Sequence, residues 1–202
     1  MMTLQHRTVQ PKILYYGTPV VLLSTCNEDG TTNISPISSS WALGSCLVLG
    51  LGCGGKGLEN LKRYPECVIN LPDPSLWRHV ERLALLTGKT PVPSSKKELG
   101  FRYEKDKFSA AKLTPCESEK VRPARIAECP LQIEASVQDI RIPENHPWFA
   151  VVETETRRVH AREAYILGDH YIDPNQWRPL IYNFRHYFSL GEELGKTARA
   201  ET

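Results

Sequence analysis

Short apolar runs mark a series of strands in the first part of the chain. Strands are predicted over residues 19–26, 31–38, 46–52 and 66–71, because these runs are brief and rich in β-branched or aliphatic residues. The sequence Asn27-Glu-Asp-Gly30 predicts a hairpin turn between the first two, since Asp-Gly readily adopts a left-handed conformation. Because proline has no N–H to donate to a neighbouring strand, Pro36 is expected at a sheet edge or a bulge.

Apolar residues recur at helical spacing in two stretches, one before and one after the strand predicted at 66–71. Leu58 and Leu61 predict a short helix that Pro65 ends. Asp73 and Pro74 predict the start of a second helix, whose apolar face then recurs at Leu76, Val80, Leu83, Ala84 and Thr87.

Two long alternating runs, residues 131–142 and 149–160, predict an antiparallel hairpin around a turn at 143–147. Residues 88–130 are proline-rich and irregular, apart from one or two helical turns at 94–99, and we expect a functional flap or a dimer-packing excursion there.

The element order is not an alternating strand–helix pattern, so it predicts a mainly β, antiparallel barrel with helices around it. We expect one domain over residues 1–195, with an N-terminal arm at 1–18 and a frayed tail at 196–202. The C-terminal part carries a dense aromatic set: Trp177, Tyr182, Phe184, Tyr187 and Phe188.

Composition narrows the function classes. The 202 residues carry a net charge of only +2 with acids and bases interspersed, which argues against nucleic-acid binding. No apolar run approaches a membrane span and no signal region precedes the first strand, so we expect no membrane partner and a cytoplasmic location. The six cysteines include no C-x-x-C pair, which favours reduced, buried thiols over a zinc site or a disulfide framework.

Candidate chemistry concentrates at the ends of two neighbouring strands. Ser38, Ser39 and Ser40 stand beside Trp41, where one strand runs out. The next strand opens into a glycine-rich turn that carries Lys56 at a helix start. Hydroxyls, backbone N–H groups, a cation and a helix N-terminus suit a phosphate, and Trp41 offers a flat face to an aromatic ring. We therefore predict a site for a phosphorylated aromatic cofactor; an ordinary polar turn and a plain glycine strand exit are the structural alternatives.

Other chemistries find less support. Gly50, Gly55 and Lys56 match a Walker A loop in register, but Gly57 replaces the hydroxyl that would bind magnesium. The histidines show no metal-ligand spacing, and no G-x-S-x-G elbow occurs, so we expect neither a metal site nor a serine hydrolase. His146 is kept as a candidate because it lies in the turn that enters a long strand.

Much of the chain resembles the flavin reductase-like family, whose members are FMN-binding split barrels. The resemblance lies in residues 19–72, in ECPLQIEA at 128–135 and in the strand FAVVETETRRVHA at 149–161. The tail at 171–195 is similar to that of the flavoredoxin-like branch, and the likeness covers residues 13–195.

The resemblance implies a homodimer with FMN in a groove near the subunit interface. Its implied catalytic residue is His146, although the surrounding Glu144-Asn-His-Pro147 departs from the family pattern. Arg185 and His186 would either close over the cofactor or pack in the dimer. The implied cofactor-binding residues are Asn33, Ser35, Pro36, Ile37, Ser38, Ser39, Ser40, Trp41, Gly55, Lys56, Gly57, Asn60, Asn70, Leu71, Arg185 and His186.

The implied function is an FMN-dependent oxidoreductase that passes electrons from NAD(P)H, as a transient co-substrate, or from a redox partner protein. The alternative is an FMN-binding electron carrier without NAD(P)H turnover of its own. A third hypothesis, an interaction protein that keeps the barrel without the cofactor, predicts no yellow colour on purification.

Overall fold

The computed structural model describes residues 5–168 and 170–198. Four α-helices are described: α1 (Lys56–Arg63), α2 (Trp77–Leu83), α3 (Ser94–Glu98) and α4 (Lys107–Ala111). Two single 3-10 turns lie at Pro74–Leu76 and Glu163–Tyr165. The strands in chain order are β1 (Tyr16–Pro19), β2 (Val21–Cys26), β3 (Thr32–Ile37), β4 (Ser40–Leu43), β5 (Cys46–Gly52), β6 (Glu66–Leu71), β7 (Leu86–Thr87), β8 (Arg102–Tyr103), β9 (Pro115–Cys116), β10 (Arg125–Ile126), β11 (Leu131–Arg141), β12 (Phe149–Ala161), β13 (Ile166–Leu167), β14 (Tyr171–Ile172), β15 (Ile181–Asn183) and β16 (His186–Phe188).

A seven-stranded sheet in the order β3-β2-β6-β11-β12-β5-β4 forms the body, with every neighbouring pair antiparallel. Its two edge strands, β3 and β4, follow each other in the chain and are separated only by Ser38 and Ser39. The sheet must therefore curl until its two edges meet at this corner, where the Gly50 N–H donates to the Ser39 carbonyl at 2.7 Å. Because β3 and β4 do not pair with each other, the result is a half-barrel with an open side.

Two apolar cores lie on opposite faces of this sheet, and β2 serves both. Val21 and Leu23 pack in one core with β5, β12 and α1, whereas Val20 and Leu22 pack in the other with α2 and α4. Burial on both faces explains why the run at 19–26 is apolar without alternation. Helix α1 contacts β2, β3 and β5, and so covers the open side of the half-barrel.

Several predicted elements are confirmed. The strands at 46–52 and 66–71 have the predicted bounds, and the long hairpin forms from β11 and β12. At the predicted turn the Asn27 N–H donates to the Thr31 carbonyl at 2.7 Å, and Gly30 has a φ of +82°. Pro36 lies on the edge strand β3, as its missing donor requires. The Asp73 carboxylate accepts the Ser75 N–H at 2.9 Å and caps the 3-10 turn that leads into α2.

Three expectations need correction or completion. The serine run does not simply end a strand, because Ser40 begins β4, which pairs with β5. The N-terminal arm contributes β1, which pairs with β15 of the tail, and residues 88–130 contain α3, α4 and two-residue strands. Residues 1–4 of the predicted arm and 199–202 of the predicted tail lie outside the described residues.

The thiols of Cys26, Cys67 and Cys129 are buried, as predicted for small apolar side chains. Burial raises the pKa of Cys67 to about 12. None of the helices that the structure describes is long and apolar enough to cross a membrane.

Candidate functional site

A groove of about 760 Å³ runs along the open side of the half-barrel. We call it the lysine groove. It is bordered by the end of β3, the glycine turn before α1, residues of α3 and α4, and the β11–β12 turn. Its lining includes Ser35, Pro36, Ile37, Gly55, Lys56, Gly57, Gly88, Lys96, Lys107 and Trp148.

The strand before the serine run and the lysine-bearing turn meet in this groove. A Cβ added at Gly57 would lie 3.1 Å from the Ser35 hydroxyl oxygen, so the serine-bearing strand and the start of α1 are in direct contact. Gly55 caps α1 without a side-chain hydrogen bond, which leaves the backbone N–H groups of the first turn open to an anion. The strand that leads into the serine run therefore contacts the lysine-bearing turn, but Ser38, Ser39 and Ser40 themselves do not line the lysine groove.

Lys56 is held in place by a shared carboxylate. Its Nζ pairs with Glu59 Oε1, and Lys89 Nζ lies 3.0 Å from Glu59 Oε2. The hydrogen bond from Lys56 lowers the pKa of Glu59, even though partial burial acts against it. Two ammonium groups share one carboxylate here, so this end of the groove keeps a net positive charge.

A buried lysine adds to this charge. Lys107 is only 3% exposed, and its Nζ donates to the Ile34 carbonyl at 2.7 Å. Burial, with a smaller contribution from the charge of Lys96, lowers the pKa of Lys107 to about 8. Such a shift in a groove marks a functional candidate, because an anion that entered would restore the charged form.

Sequence reasoning missed Lys96 and Lys107 because both lie in the irregular region 88–130. Asp106 was the available signal: its carboxylate accepts the Ser109 N–H at 3.1 Å and caps α4, the helix that carries Lys107 into the groove.

Gly88 marks a close approach of the same region to the predicted site. A Cβ there would lie 2.6 Å from Asn33 Oδ1 and 3.0 Å from Lys56 Cγ. Asn33 is buried and donates to Ser35 Oγ at 3.1 Å, while its Oδ1 has no hydrogen-bond partner. Asn33 thus supports the wall behind the groove and does not line it.

A second hollow, of about 320 Å³, lies beside the lysine groove. We call it the tyrosine hollow; its walls include Tyr15, Ser38, Ser39, Val80, Tyr182 and Tyr187. The two spaces share Pro36, Ile37, Gly52 and Ala84 in their linings, so they lie side by side at the end of β3.

Three predicted site residues face into the protein. Asn60 donates to Thr25 Oγ1 at 3.1 Å, and Asn70 donates to the Leu22 carbonyl at 2.9 Å. Asn70 Oδ1 also accepts the Ile126 N–H at 2.9 Å. Leu71, at the end of β6, packs against the core that contains Val21 and Leu23. The structure brings none of the three to the lining of the groove.

Four others lie on exposed strands. Ser40 and Trp41 belong to β4, where the Trp41 side chain is 59% exposed, and they line neither space. Arg185 and His186 lie at the exposed turn of the β15–β16 hairpin and line neither space as well. The structure therefore brings none of these four residues to the groove or the hollow.

His146 lies exposed in the β11–β12 turn, in an aromatic cluster beside the groove. Its ring stacks on Phe149 with centroids 5.9 Å apart, and Phe149 packs on Trp148 at 4.7 Å. Trp148 lines the groove and is tied to the glycine turn by a 2.9 Å bond from the Cys53 N–H to its carbonyl. Trp148, which sequence reasoning missed, thus stands closer to the groove than the predicted His146.

The arrangement fits a phosphorylated cofactor with a flat ring. Lys56, Lys96, Lys107 and the free N–H groups of α1 suit a phosphate, while Ile37, Leu51 and Trp148 give an apolar surface next to it. The low pKa of Lys107 and the capless start of α1 are both relieved by an anion at this end.

Comparison with known proteins agrees with this geometry. A protein 57% identical over 200 residues, the uncharacterized protein YdfE of Bacillus subtilis (strain 168), covers 99% of this chain and 97% of its own length. Among solved structures, flavoredoxin of Desulfovibrio vulgaris (Miyazaki F) superposes with a TM-score of 0.80 at 21% identity, covering 98% of this chain and all of its own. A Shewanella frigidimarina NCIMB 400 protein with a split barrel domain gives 0.73 at 19% identity, with 91% and 87% covered.

These structures share the fold, and the half-barrel is therefore a split barrel as the sequence predicted. The model of the flavin reductase like domain matches residues 13–191. This chain belongs to the flavin reductase-like family.

Proposed function

We propose that the protein is an FMN-binding oxidoreductase and that the lysine groove holds the FMN phosphate. The observation that carries the proposal is the meeting of the β3 end with Lys56, Lys96 and Lys107 in one groove, where Lys56 and Lys89 share the carboxylate of Glu59. An anion is the ligand that such a charge distribution favours.

The lysine end would bind the phosphate, and each charge-assisted bond contributes roughly 1.5–3 kcal/mol. Lys56 and the first-turn N–H groups of α1 are the direct donors, and Lys107 lies behind them. Ser35 and the backbone of Pro36–Ile37 leave room for the hydroxylated chain of the cofactor.

The flavin ring would then bind against the apolar part of the groove, which runs from Ile37 and Leu51 to Trp148. Bound FMN supplies the acceptance and release of electrons, while the chain fixes the ring and excludes water from one face. Trp148 lines the groove, its ring packs on Phe149 and the Cys53 hydrogen bond fixes its backbone, so it is placed to contact the flavin ring.

The electron donor is NAD(P)H or a protein. The exposed position of His146 favours the second candidate, an electron carrier without its own NAD(P)H turnover, because the histidine does not reach the groove. Rapid NADPH oxidation in air with added FMN would support the enzyme; no oxidation, with FMN still bound and reducible by dithionite, would support the carrier.

The experiment that tests flavin binding compares FMN with riboflavin, which is the same molecule without the phosphate. Titrations followed by visible absorption should give a dissociation constant for riboflavin about a hundredfold higher than for FMN, because two or more charge-assisted bonds are lost. Equal affinities would remove the phosphate from the lysine groove. No binding of either flavin would overturn the proposal.

We also propose a homodimer. The edge strand β4 carries Trp41 and Leu43, which are 59% and 76% exposed, and an open sheet edge with apolar side chains favours pairing with another chain. Sedimentation equilibrium should give twice the mass of the 22.9 kDa chain. Replacing Trp41 and Leu43 together by serine should shift it toward the monomer, whereas a monomeric wild-type protein would contradict the proposal.

A further inference from the structure

The aromatic C-terminal segment and the N-terminal segment together build a wall beside the lysine groove. Strand β1 pairs with β15, and the Phe184 N–H donates to the Tyr15 carbonyl at 2.6 Å. This small sheet brings Tyr15 and Tyr182 over the end of β3, although they are far apart in the chain. The flavin site proposed above does not use this wall.

The three tyrosine rings of the wall are fixed against one another. The Tyr15 and Tyr182 rings meet edge to face with centroids 5.3 Å apart, and the Tyr182 and Tyr187 rings lie 5.6 Å apart. The Tyr187 hydroxyl donates to Glu81 Oε2 at 2.9 Å, which sets its orientation. The tyrosine hollow therefore has a preformed aromatic side.

The chemistry of the lining differs from that of the lysine groove. The residues that line the hollow carry no charged side chain; outside the lining, Glu81 accepts the Tyr187 hydroxyl and the positive charge of Arg185 acts on Tyr182. The hydroxyls of Ser38, Ser39 and Tyr182 have no protein hydrogen-bond partner within the described part of the chain. Free donors on an uncharged, aromatic surface suit a flat ring that bears carbonyl oxygens.

The size of the hollow agrees with such a ligand. Its volume of about 320 Å³ lies at the small end of ligand sites, enough for one or two fused rings. Because the hollow and the lysine groove share Pro36 and Gly52 in their linings, a ring bound there would lie next to whatever occupies the groove.

We propose that the tyrosine hollow is a second binding site, specific for an uncharged planar quinone-type ring. Binding depends only on the hollow; its role as the site of an electron acceptor rests on the proposed function. An anionic ring is disfavoured because the lining has no charged side chain to pair with it and burial of an unpaired charge is costly.

Equilibrium dialysis with duroquinone tests the proposal, because the four methyl groups of this uncharged quinone block addition of the cysteine thiols. Duroquinone should bind the protein with and without saturating FMN. The matched anion 2,3,5,6-tetramethylbenzoate, which has the same methylated ring, should bind at least tenfold more weakly. Absence of duroquinone binding, equal binding of the carboxylate, or competitive displacement of duroquinone by FMN would each overturn the proposal.

Two neighbouring tyrosines supply a matched pair of variants. Tyr15 lines the hollow, whereas Tyr16 is 77% exposed and does not. Tyr15→Ala should raise the dissociation constant for duroquinone about tenfold, and Tyr16→Ala should leave it unchanged. An equal effect of the two variants would contradict the assignment.

A filling variant keeps the test valid if Tyr15→Ala does not fold. Ser39 is exposed at the rim of the hollow, and Ser39→Phe should occupy the space and abolish duroquinone binding. Full binding by a folded Ser39→Phe variant would also contradict the proposal.

FMN binding in the lysine groove and ring binding in the tyrosine hollow can be tested independently. Lys56→Ala should weaken FMN binding and leave duroquinone binding intact. In the wild-type protein, duroquinone binding without FMN binding would count against the proposed function alone, and FMN binding without duroquinone binding would count against the hollow alone.

Discussion

The lysine groove and the tyrosine hollow share the end of β3 but differ in charge. The lining of the groove includes Lys56, Lys96 and Lys107, with Glu59 paired to Lys56, whereas the lining of the hollow carries no charged group. The end of β3 therefore borders an anion site on one side and an aromatic, uncharged site on the other. The difference shows how a split barrel can bind two chemically distinct ligands side by side without separate domains.

The two ends also differ in how the chain assembles them. Ser35 lies on the edge strand β3 and Lys56 follows β5, near the other edge of the same sheet, so curling of the sheet brings them together. The hollow needs Tyr15 from one end of the chain and Tyr182 from the other, brought together by β1 and β15. Changes to the buried lysine should therefore affect one end only, and the predictions below use that independence.

The largest effect is expected at Lys107. Lys107→Met should weaken FMN binding by about tenfold to a hundredfold, because a buried cation next to the phosphate is lost. Lys97→Met is the control, since Lys97 lies exposed on α3 and does not line the groove. Titration by visible absorption measures both. Duroquinone binding should be unchanged in Lys107→Met. A parallel loss of FMN and duroquinone binding would show that the groove and the hollow do not bind their ligands independently.

The same lysine predicts a pH dependence. Its pKa is lowered from 10.5 to about 8 in the folded protein, so between these values the unfolded chain binds more protons and stability rises with pH. A bound phosphate favours the charged form, so FMN affinity should fall as the pH rises above 8, by at most tenfold per pH unit. Lys107→Met should lack this part of the slope. An FMN affinity independent of pH between 8 and 9.5 would contradict the role of Lys107.

A smaller effect is expected at Gly88, where the irregular region meets Lys56. Gly88→Ala should lower the free energy of unfolding by about 1–3 kcal/mol, because the new Cβ would overlap Asn33 Oδ1. Gly54→Ala is the matched control in the same groove, since a Cβ there meets nothing within 4 Å. Urea unfolding of the two variants should separate them; equal stabilities would show that the contact at residue 88 is loose.

Much of the fold could be predicted from the sequence because its signals are local. The apolar runs of β5 and β6, the Asp-Gly turn and the alternating hairpin β11–β12 each depend on neighbouring residues. Strand β4 was missed because its four residues, Ser40–Leu43, form only through pairing with β5. The strand propensity of four residues alone does not predict pairing with a partner strand.

Only part of the candidate site could be predicted from the sequence. Ser35 and Lys56 carry a recognisable pattern, but Lys107 enters the groove from a helix of five residues within a proline-rich region. Asn70 shows the converse: the resemblance implied a contact with the cofactor, whereas the structure has its amide hydrogen-bonded to the Leu22 carbonyl and the Ile126 N–H inside the protein. Long-range packing decided both cases.

The most direct test of the account repeats the FMN and riboflavin titrations on Lys56→Ala and on Lys62→Ala, which removes an exposed lysine from the same helix. The account predicts that Lys56→Ala loses at least tenfold in FMN affinity, keeps its riboflavin affinity, and so narrows the gap between the two flavins, while Lys62→Ala behaves as wild type. If Lys56→Ala kept the full preference for FMN over riboflavin, the phosphate would not lie at the lysine groove and the central claim would be wrong.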